Sequence, residues 1–315
     1  ALGIPTSAMA FLVIYVISSV ALNSSMVFYD ALLVDATTDE RMDEVSSQGY
    51  AWGYIGSCVP FIACLLIVLN YDKLGLGLQT AMQIAFAITA AWWLVFTIPM
   101  LRDVEQKHFK PRESGAIAKA IGGIGGTLKE MWSNKAIKFY MIAYFFYIDG
   151  VHTIIKLSTS YGTDLGIDAT QLVLALLVTQ FVAFPSAIIY GRLSSKYGTR
   201  RMLLIAIAAY FGITLFAALF LRTATEFWVL AILVGMFQGG IQALSRSEFG
   251  KLCPKERANE YFGFFDIFGK YAAILGTFLV GTFTAISGNS SLGVMSIAIL
   301  FVIGFVMMLK VPERK

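Results

Sequence analysis

The sequence predicts an all-α, polytopic membrane helix bundle, and three observations carry that prediction. Of 315 residues, 57% are hydrophobic and 14% charged, against about 45–50% and about 25% in soluble domains. The mean hydropathy of +0.72 is spread along the chain, so neither a single anchor nor a cleaved leader accounts for it. The basic residues gather in alternate connections between apolar stretches, as cytoplasmic loops do. A soluble globule is excluded. The net charge of +4 forms no basic stripe with interleaved aromatics, so no nucleic-acid partner is expected.

A hydrocarbon core about 30 Å thick needs about 20 apolar residues of helix. Nine stretches meet that need: 7–33, 50–69, 80–101, 139–155, 171–190, 202–221, 227–243, 261–286 and 292–309. Pro60, Pro99 and Pro185 lie inside spans as kink points, and Gly235 with Gly239 allows a neighbouring helix to come close. Cys58, Cys64 and Cys253 are too few for a disulfide framework and read as packing residues. The acid-rich segment with Asp35, Asp39, Glu40, Asp43 and Glu44 reads as a solvated loop with helix-capping acids.

One set of loops holds Arg41, the basic block from Arg102 to Lys138, the turn from Arg192 to Arg201, the Arg246 to Arg257 group, and Lys310, Arg314 and Lys315. The opposite loops hold Lys73, Lys156 and Arg222. The C-terminus is therefore expected in the cytoplasm. An odd span count and a first residue other than methionine lead to the expectation that nine helices remain of twelve. Three units follow: a partial N-terminal bundle of three spans (1–101), a cytoplasmic linker (102–138) and a C-terminal six-helix bundle (139–315). The linker carries a glycine run, 122–126, and then an amphipathic stretch around 128–132.

The turn Gly191-Arg192-Leu193-Ser194-Ser195-Lys196-Tyr197-Gly198-Thr199-Arg200-Arg201 resembles the signature loop of the major facilitator superfamily. Its markers are Gly191, Leu193, Gly198, Arg200 and Arg201, with Ser195 standing where that family has an aspartate of its charge latch. Longer motifs are more specific: Phe28-Tyr29-Asp30-Ala31-Leu32-Leu33, Val45-Ser46-Ser47-Gln48-Gly49-Tyr50-Ala51-Trp52-Gly53-Tyr54, Tyr147-Ile148-Asp149-Gly150-Val151-His152-Thr153-Ile154-Ile155, Gly239-Gly240-Ile241-Gln242-Ala243-Leu244-Ser245-Arg246-Ser247 and Phe262-Gly263-Phe264-Phe265-Asp266-Ile267-Phe268-Gly269-Lys270. Together, in this order, they resemble the vacuole-effluxer family of major facilitators. The resemblance implies two six-helix bundles with this chain as helices four to twelve, a monomer, and amino-acid efflux. It places the protein in the vacuolar membrane of a fungus or the plasma membrane of a bacterium.

Ionisable groups inside spans are costly and read as functional candidates. On the fourth span Asp149, His152 and Lys156 share one stripe with Thr153 at 100° per residue, and on the eighth Asp266 and Lys270 lie one turn apart. Similar depths allow either Asp149 or Asp266 to pair with Lys270, with Asp149 a candidate proton carrier. For substrate contact the candidates are Asn23, Tyr29 and Asp30 in a polar patch that includes Ser24 and Ser25, together with Gln180, Gln238 and Gln242, whose amides suit a small zwitterion or polyol.

These residues point to secondary transport of a small molecule, an amino acid first, by alternating access with proton coupling and no cofactor. The competing readings are a sugar, nucleoside or drug carrier of the same superfamily, and a sensor that binds without translocating. With His108 and His152 as the only histidines, no metal site can be drawn, and there is no G-x-x-x-x-G-K-[ST] loop for ATP. An enzyme is not expected.

Overall fold

The computed structural model describes residues 7–109, 115–164 and 166–312, so Lys110, Arg112, Arg314 and Lys315 of the basic set lie outside the described residues. The helices are α1 (Ala8–Ala31), α2 (Leu33–Ala36), α3 (Met42–Leu69), α4 (Leu78–Asp103), α5 (Ala116–Ser133), α6 (Lys135–Asp164), α7 (Ala169–Tyr197), α8 (Thr199–Phe220), α9 (Ala224–Leu252), α10 (Ala258–Ser287), α11 (Ser290–Ser296) and α12 (Ala298–Leu309). Among the described residues there is no strand. In hydrocarbon a helix satisfies its own backbone donors and acceptors, and this sequence takes that solution throughout.

Eight helical segments are long and apolar enough to cross a bilayer, against nine spans read from the sequence. The remaining stretch, 139–155, lies in α6, which is helical for 30 residues. It falls short on apolarity, because tyrosines, Asp149 and His152 interrupt it and Lys138 and Lys156 flank it. The glycine run 122–126 lies inside α5 rather than in a loop. There Met131 and Thr127 are buried against the bundle, while Ile121, Ile124, Leu128 and Trp132 are exposed.

Local chemistry fixes the ends. The Asp168 side chain accepts from Thr170 N at 2.9 Å to start α7, and Thr223 with Glu226 forms a capping box at the start of α9. The centre of the bundle is the packing of α7 on α9, with α3 against both and α6 against α10 and α12. Gly239 shows why α7 and α9 meet so closely: a Cβ there would lie 2.8 Å from the Ala183 carbonyl oxygen. Pro60, Pro99 and Pro185 sit within α3, α4 and α7. Outward faces are apolar, as lipid requires, with Ile17, Leu94, Phe278 and Ile286 all more than half exposed.

Two acids depart from the expected solvated loop. Asp35 and Asp43 are 6% and 4% exposed. Asp35 Oδ1 accepts from His108 N at 2.9 Å and Lys107 N at 3.2 Å, pinning the segment that follows α4. Asp43, in the first turn of α3, takes partners from the other half of the chain.

Candidate functional site

The site is built where α1, α3, α6, α9 and α10 converge. A cavity of about 200 Å³ is lined there by Asp30, Tyr50, His152, Gln242, Asp266 and Lys270, among others. Asp266 and Lys270 form an ion pair across one turn of α10. The Lys270 side chain is 40% exposed, and its ammonium also reaches the Asn23 carbonyl on α1 at 3.4 Å. Gln242 is anchored by α3, its Oε1 accepting from Tyr54 Oη at 2.8 Å.

Behind this cavity lies a residue the sequence reading had counted among loop charges. Arg246 is 5% exposed. Its Nη1 donates to Asp30 Oδ1 at 3.0 Å, its Nε to Ser46 Oγ at 3.0 Å and its Nη2 to the Ser46 carbonyl at 3.2 Å. The guanidinium carbon lies 4.7 Å from the Tyr50 ring centroid and 5.5 Å from that of Tyr29. One cation on α9 thus binds α1 and α3 together, with aromatic faces replacing the water it gave up. The signal was in the sequence, since Asp30 and Arg246 both fall in the family-like segments, but the position of Arg246 at the end of an apolar stretch, ahead of Lys251, Lys255 and Arg257, made it look like a loop residue.

Asp149 is fully buried and does not meet Lys270. Its two carboxylate oxygens accept from the Gly276 backbone N–H at 2.9 and 3.1 Å, and Thr153 donates to Oδ1 at 3.1 Å. Gly276 lies about 9 Å further along α10 than Lys270 at 1.5 Å per residue. The carboxylate fits because Gly276 has no side chain, a Cβ there falling 2.6 Å from Oδ1. Of the two expected pairings of Lys270, the structure forms the one with Asp266. His152, on the same helix face, borders the cavity, whereas Lys156 is exposed.

The substrate-contact candidates divide. Asp30 and Gln242 line the polar cavity. Gln180 and Gln238 line a different, larger hollow nearer the opposite end of the bundle. Tyr29 stacks on Arg246, and the exposed Asn23 side chain donates to the Ser19 carbonyl at 2.7 Å within α1.

At the basic end the signature loop is a tight turn between α7 and α8. Gly198 has φ 88°, a conformation that favours glycine. Gly191 packs on Ser47, and Leu193 packs against the core. Arg200 caps α12, donating to the Met308 and Leu309 carbonyls, while Arg201 is exposed. Ser195 donates to Gly191 in its own helix. The acid comes from α3 instead: Asp43 accepts from Thr199 Oγ1, Ser247 Oγ and Lys251 Nζ, each at 2.6 Å.

Helices of this length around a charged internal cavity, with a tight turn at Gly198 on the basic end, are the fold of the major facilitators. The Escherichia coli fucose:proton symporter FucP superposes with a TM-score of 0.69 at 13% identity, covering 91% of this chain and 73% of that one. A second FucP structure, in the outward conformation, gives 0.64 at 11% identity. Within that class, residues 30–315 match the family described as vacuole effluxer Atg22 like, and the chain belongs to it. An uncharacterised MFS-type transporter of Bacillus subtilis, YxiO, is 45% identical over 305 residues, which are 96% of this chain and 71% of that protein. Autophagy-related protein 22 of Kluyveromyces lactis is 25% identical over 270 residues; the match covers 78% of this chain and about half, 53%, of the fungal protein.

Proposed function

We propose that this membrane protein of the major facilitator type is a secondary carrier that moves a small zwitterion, an amino acid, by alternating access. The observation that carries the reading is the cavity in which Asp30 and Asp266 face the same space as Lys270 and Gln242. A zwitterion brings both charges needed there. Its carboxylate competes with Asp266 for the half-exposed Lys270, and its ammonium is received by the Asp266 carboxylate so released, with Asp30 facing the same space. Because each buried charge exchanges one partner for another, the desolvation cost stays small. The family's description as a vacuole effluxer supports export as the direction.

Asp149 is the proposed proton carrier. It is shielded from solvent and held by an amide N–H and a hydroxyl, neutral partners that leave one proton to be gained or lost without a counter-ion. The basic end faces the cytoplasm in this reading, with the protein acting as a monomer in the plasma membrane of a bacterium or the vacuolar membrane of a fungus.

Binding is tested by thermal unfolding of the purified protein with amino acids, sugars and nucleosides. The expected result is stabilisation by amino acids that disappears in Lys270→Gln. Stabilisation by sugars or nucleosides alone would replace the zwitterion with one of the competing cargoes.

A further inference from the structure

Helix α5 has two unlike faces. Thr127 and Met131 are buried, and polar ties run from this side to the start of α10: Thr127 Oγ1 accepts from Arg257 Nη2 at 2.6 Å, and Glu130 accepts from Arg257 Nη1 at 2.5 Å and from Tyr261 Oη at 3.0 Å. The other face carries Ile121 and Ile124, more than half exposed, and Leu128 and Trp132, more than a third exposed. At 100° per residue these four lie within an arc of about 80°, an apolar stripe along the helix.

Depth identifies what covers the stripe. The Trp132 ring packs on Phe268 of α10, and Phe268 meets Phe145 of α6, each at 6.0 Å between ring centroids. Phe268 and Phe145 are ten residues past the first residues of their helices, Ala258 and Lys135, or about 15 Å along either axis. Because α10 runs for 30 residues, about 45 Å against a hydrocarbon core of about 30 Å, that level lies within the core. On α10 Ile267, Tyr271 and Ile274 are at least half exposed and form one row with the lipid-facing Phe278, so through Phe268 the stripe adjoins a lipid-facing surface. The charges agree: Lys129 and Lys135 are exposed, whereas Glu130, the one acid in α5, is turned to Arg257.

The glycine run adds a separate argument. Residues 120–126 are exposed, and a Cβ at Gly122, Gly123, Gly125 or Gly126 would meet nothing within 4 Å. No close approach requires these glycines, and glycine weakens a helix that has only water around it. These turns need a surface to stay helical.

We infer that α5 is seated in the bilayer: its stripe from Ile121 to Trp132 enters the leaflet on the basic side, Lys129 and Lys135 meet anionic phosphate headgroups, and the leaflet holds the turns around the glycine run in helical form. This partner is the lipid surface itself, and the assignment stands independently of the cargo proposed above.

The test is amide exchange, at constant pH, of the protein in nanodiscs that hold one copy each, made of phosphatidylcholine alone or with phosphatidylglycerol added. Residues 120–126 are expected to exchange about tenfold more slowly in the anionic discs, as two lysines at a charged surface imply. Lys129→Gln/Lys135→Gln should remove that difference. Ile124→Gln, which keeps a good helix former in place, should speed exchange of 120–126 in both discs while α9 stays protected, showing an intact bundle. Phosphatidylcholine brominated in its acyl chains should quench the Trp132 fluorescence, read as the difference between the protein and Trp132→Phe. Equal exchange in the two discs, protection that survives Ile124→Gln, or an unquenched Trp132 would each overturn the assignment. Protection seen only in discs that hold two copies would overturn it too, giving the stripe to a second copy of this chain.

Discussion

Arg246 concentrates the physics of this protein in one side chain. A guanidinium taken out of water keeps its charge, and its position fixes Asp30, Ser46, Tyr29 and Tyr50 around it. Removing one member of a buried ion pair costs about 3–5 kcal/mol because the other is left uncompensated. Arg246→Met is therefore expected to lower the unfolding midpoint in detergent more than the double variant Arg246→Met/Asp30→Asn, and an equal fall would deny the pair its role. Asp149 allows a finer separation of structure from coupling. Asparagine retains an acceptor for the Gly276 N–H but cannot ionise, so Asp149→Asn should keep the unfolding midpoint and abolish the pH dependence of transport. Asp149→Leu should lose both. Full activity with unchanged pH dependence in the asparagine variant would end the carrier proposal. Moving the helix starts from 139 and 261 to Lys135 and Ala258 shifts Asp149 and Lys270 by nearly equal depths, so the boundaries do not account for the missing pair; Asp149 meets instead the Gly276 amide, six residues further along α10.

Helices α7 and α9 are joined by backbone contact that glycine permits. Gly239→Ala places a methyl group 2.8 Å from the Ala183 carbonyl oxygen, and overpacking of this kind costs about 1–3 kcal/mol. A lowered unfolding midpoint checks it. The α5 helix is tied to the bundle differently. Glu130 accepts from Arg257 Nη1 at 2.5 Å and from Tyr261 Oη at 3.0 Å. The Arg257 hydrogen bond, then that of Tyr261, holds the Glu130 carboxyl below its ordinary 4.5. A lowered carboxyl value means that the tie is fully present above pH 4.5 and is lost as the pH falls through the lower, folded value. Amide exchange in α5 should accelerate as the pH drops through that range, after correction for intrinsic rates, and Glu130→Gln should flatten the change. The spans themselves were legible because hydrocarbon imposes one length and one composition on each. The extra turns of α3 and α6 were not, since residues 42–49 and 156–164 are mostly polar or small and resemble loop chemistry until the partner helices are in place. Asp43 illustrates this: three of its contacts come from residues more than 150 positions away.

Taken whole, the bundle is cross-tied at its basic end. The Asp43 cluster joins α3 to α8 and α9, Arg246 joins α9 to α1 and α3, and Arg257 joins α10 to α5. The polar cavity lies beside Arg246, and the apolar hollow lies toward the other end. In the proposed cycle the two Asp–cation ties between α9 and the first helices must break for the basic end to open. Asp43→Asn is accordingly expected to weaken that end, seen as faster labelling of Cys253, which is 5% exposed, by a small maleimide. Unchanged labelling would mean that the seal rests on apolar packing. The signature turn had pointed to this end of the molecule, but with Ser195 in the acid's place it could not reveal that α3 supplies the carboxylate.

The central claim is that solute passes through the cavity bounded by Asp30, Asp266 and Lys270. Counterflow of a labelled amino acid into proteoliposomes preloaded with the unlabelled compound measures this without any imposed ion gradient. Exchange well above that of protein-free liposomes, falling at least about tenfold in Lys270→Gln as expected for loss of a charge-assisted contact, is the predicted result. Binding of the amino acid with no exchange, or exchange that Lys270→Gln leaves intact, would contradict the account.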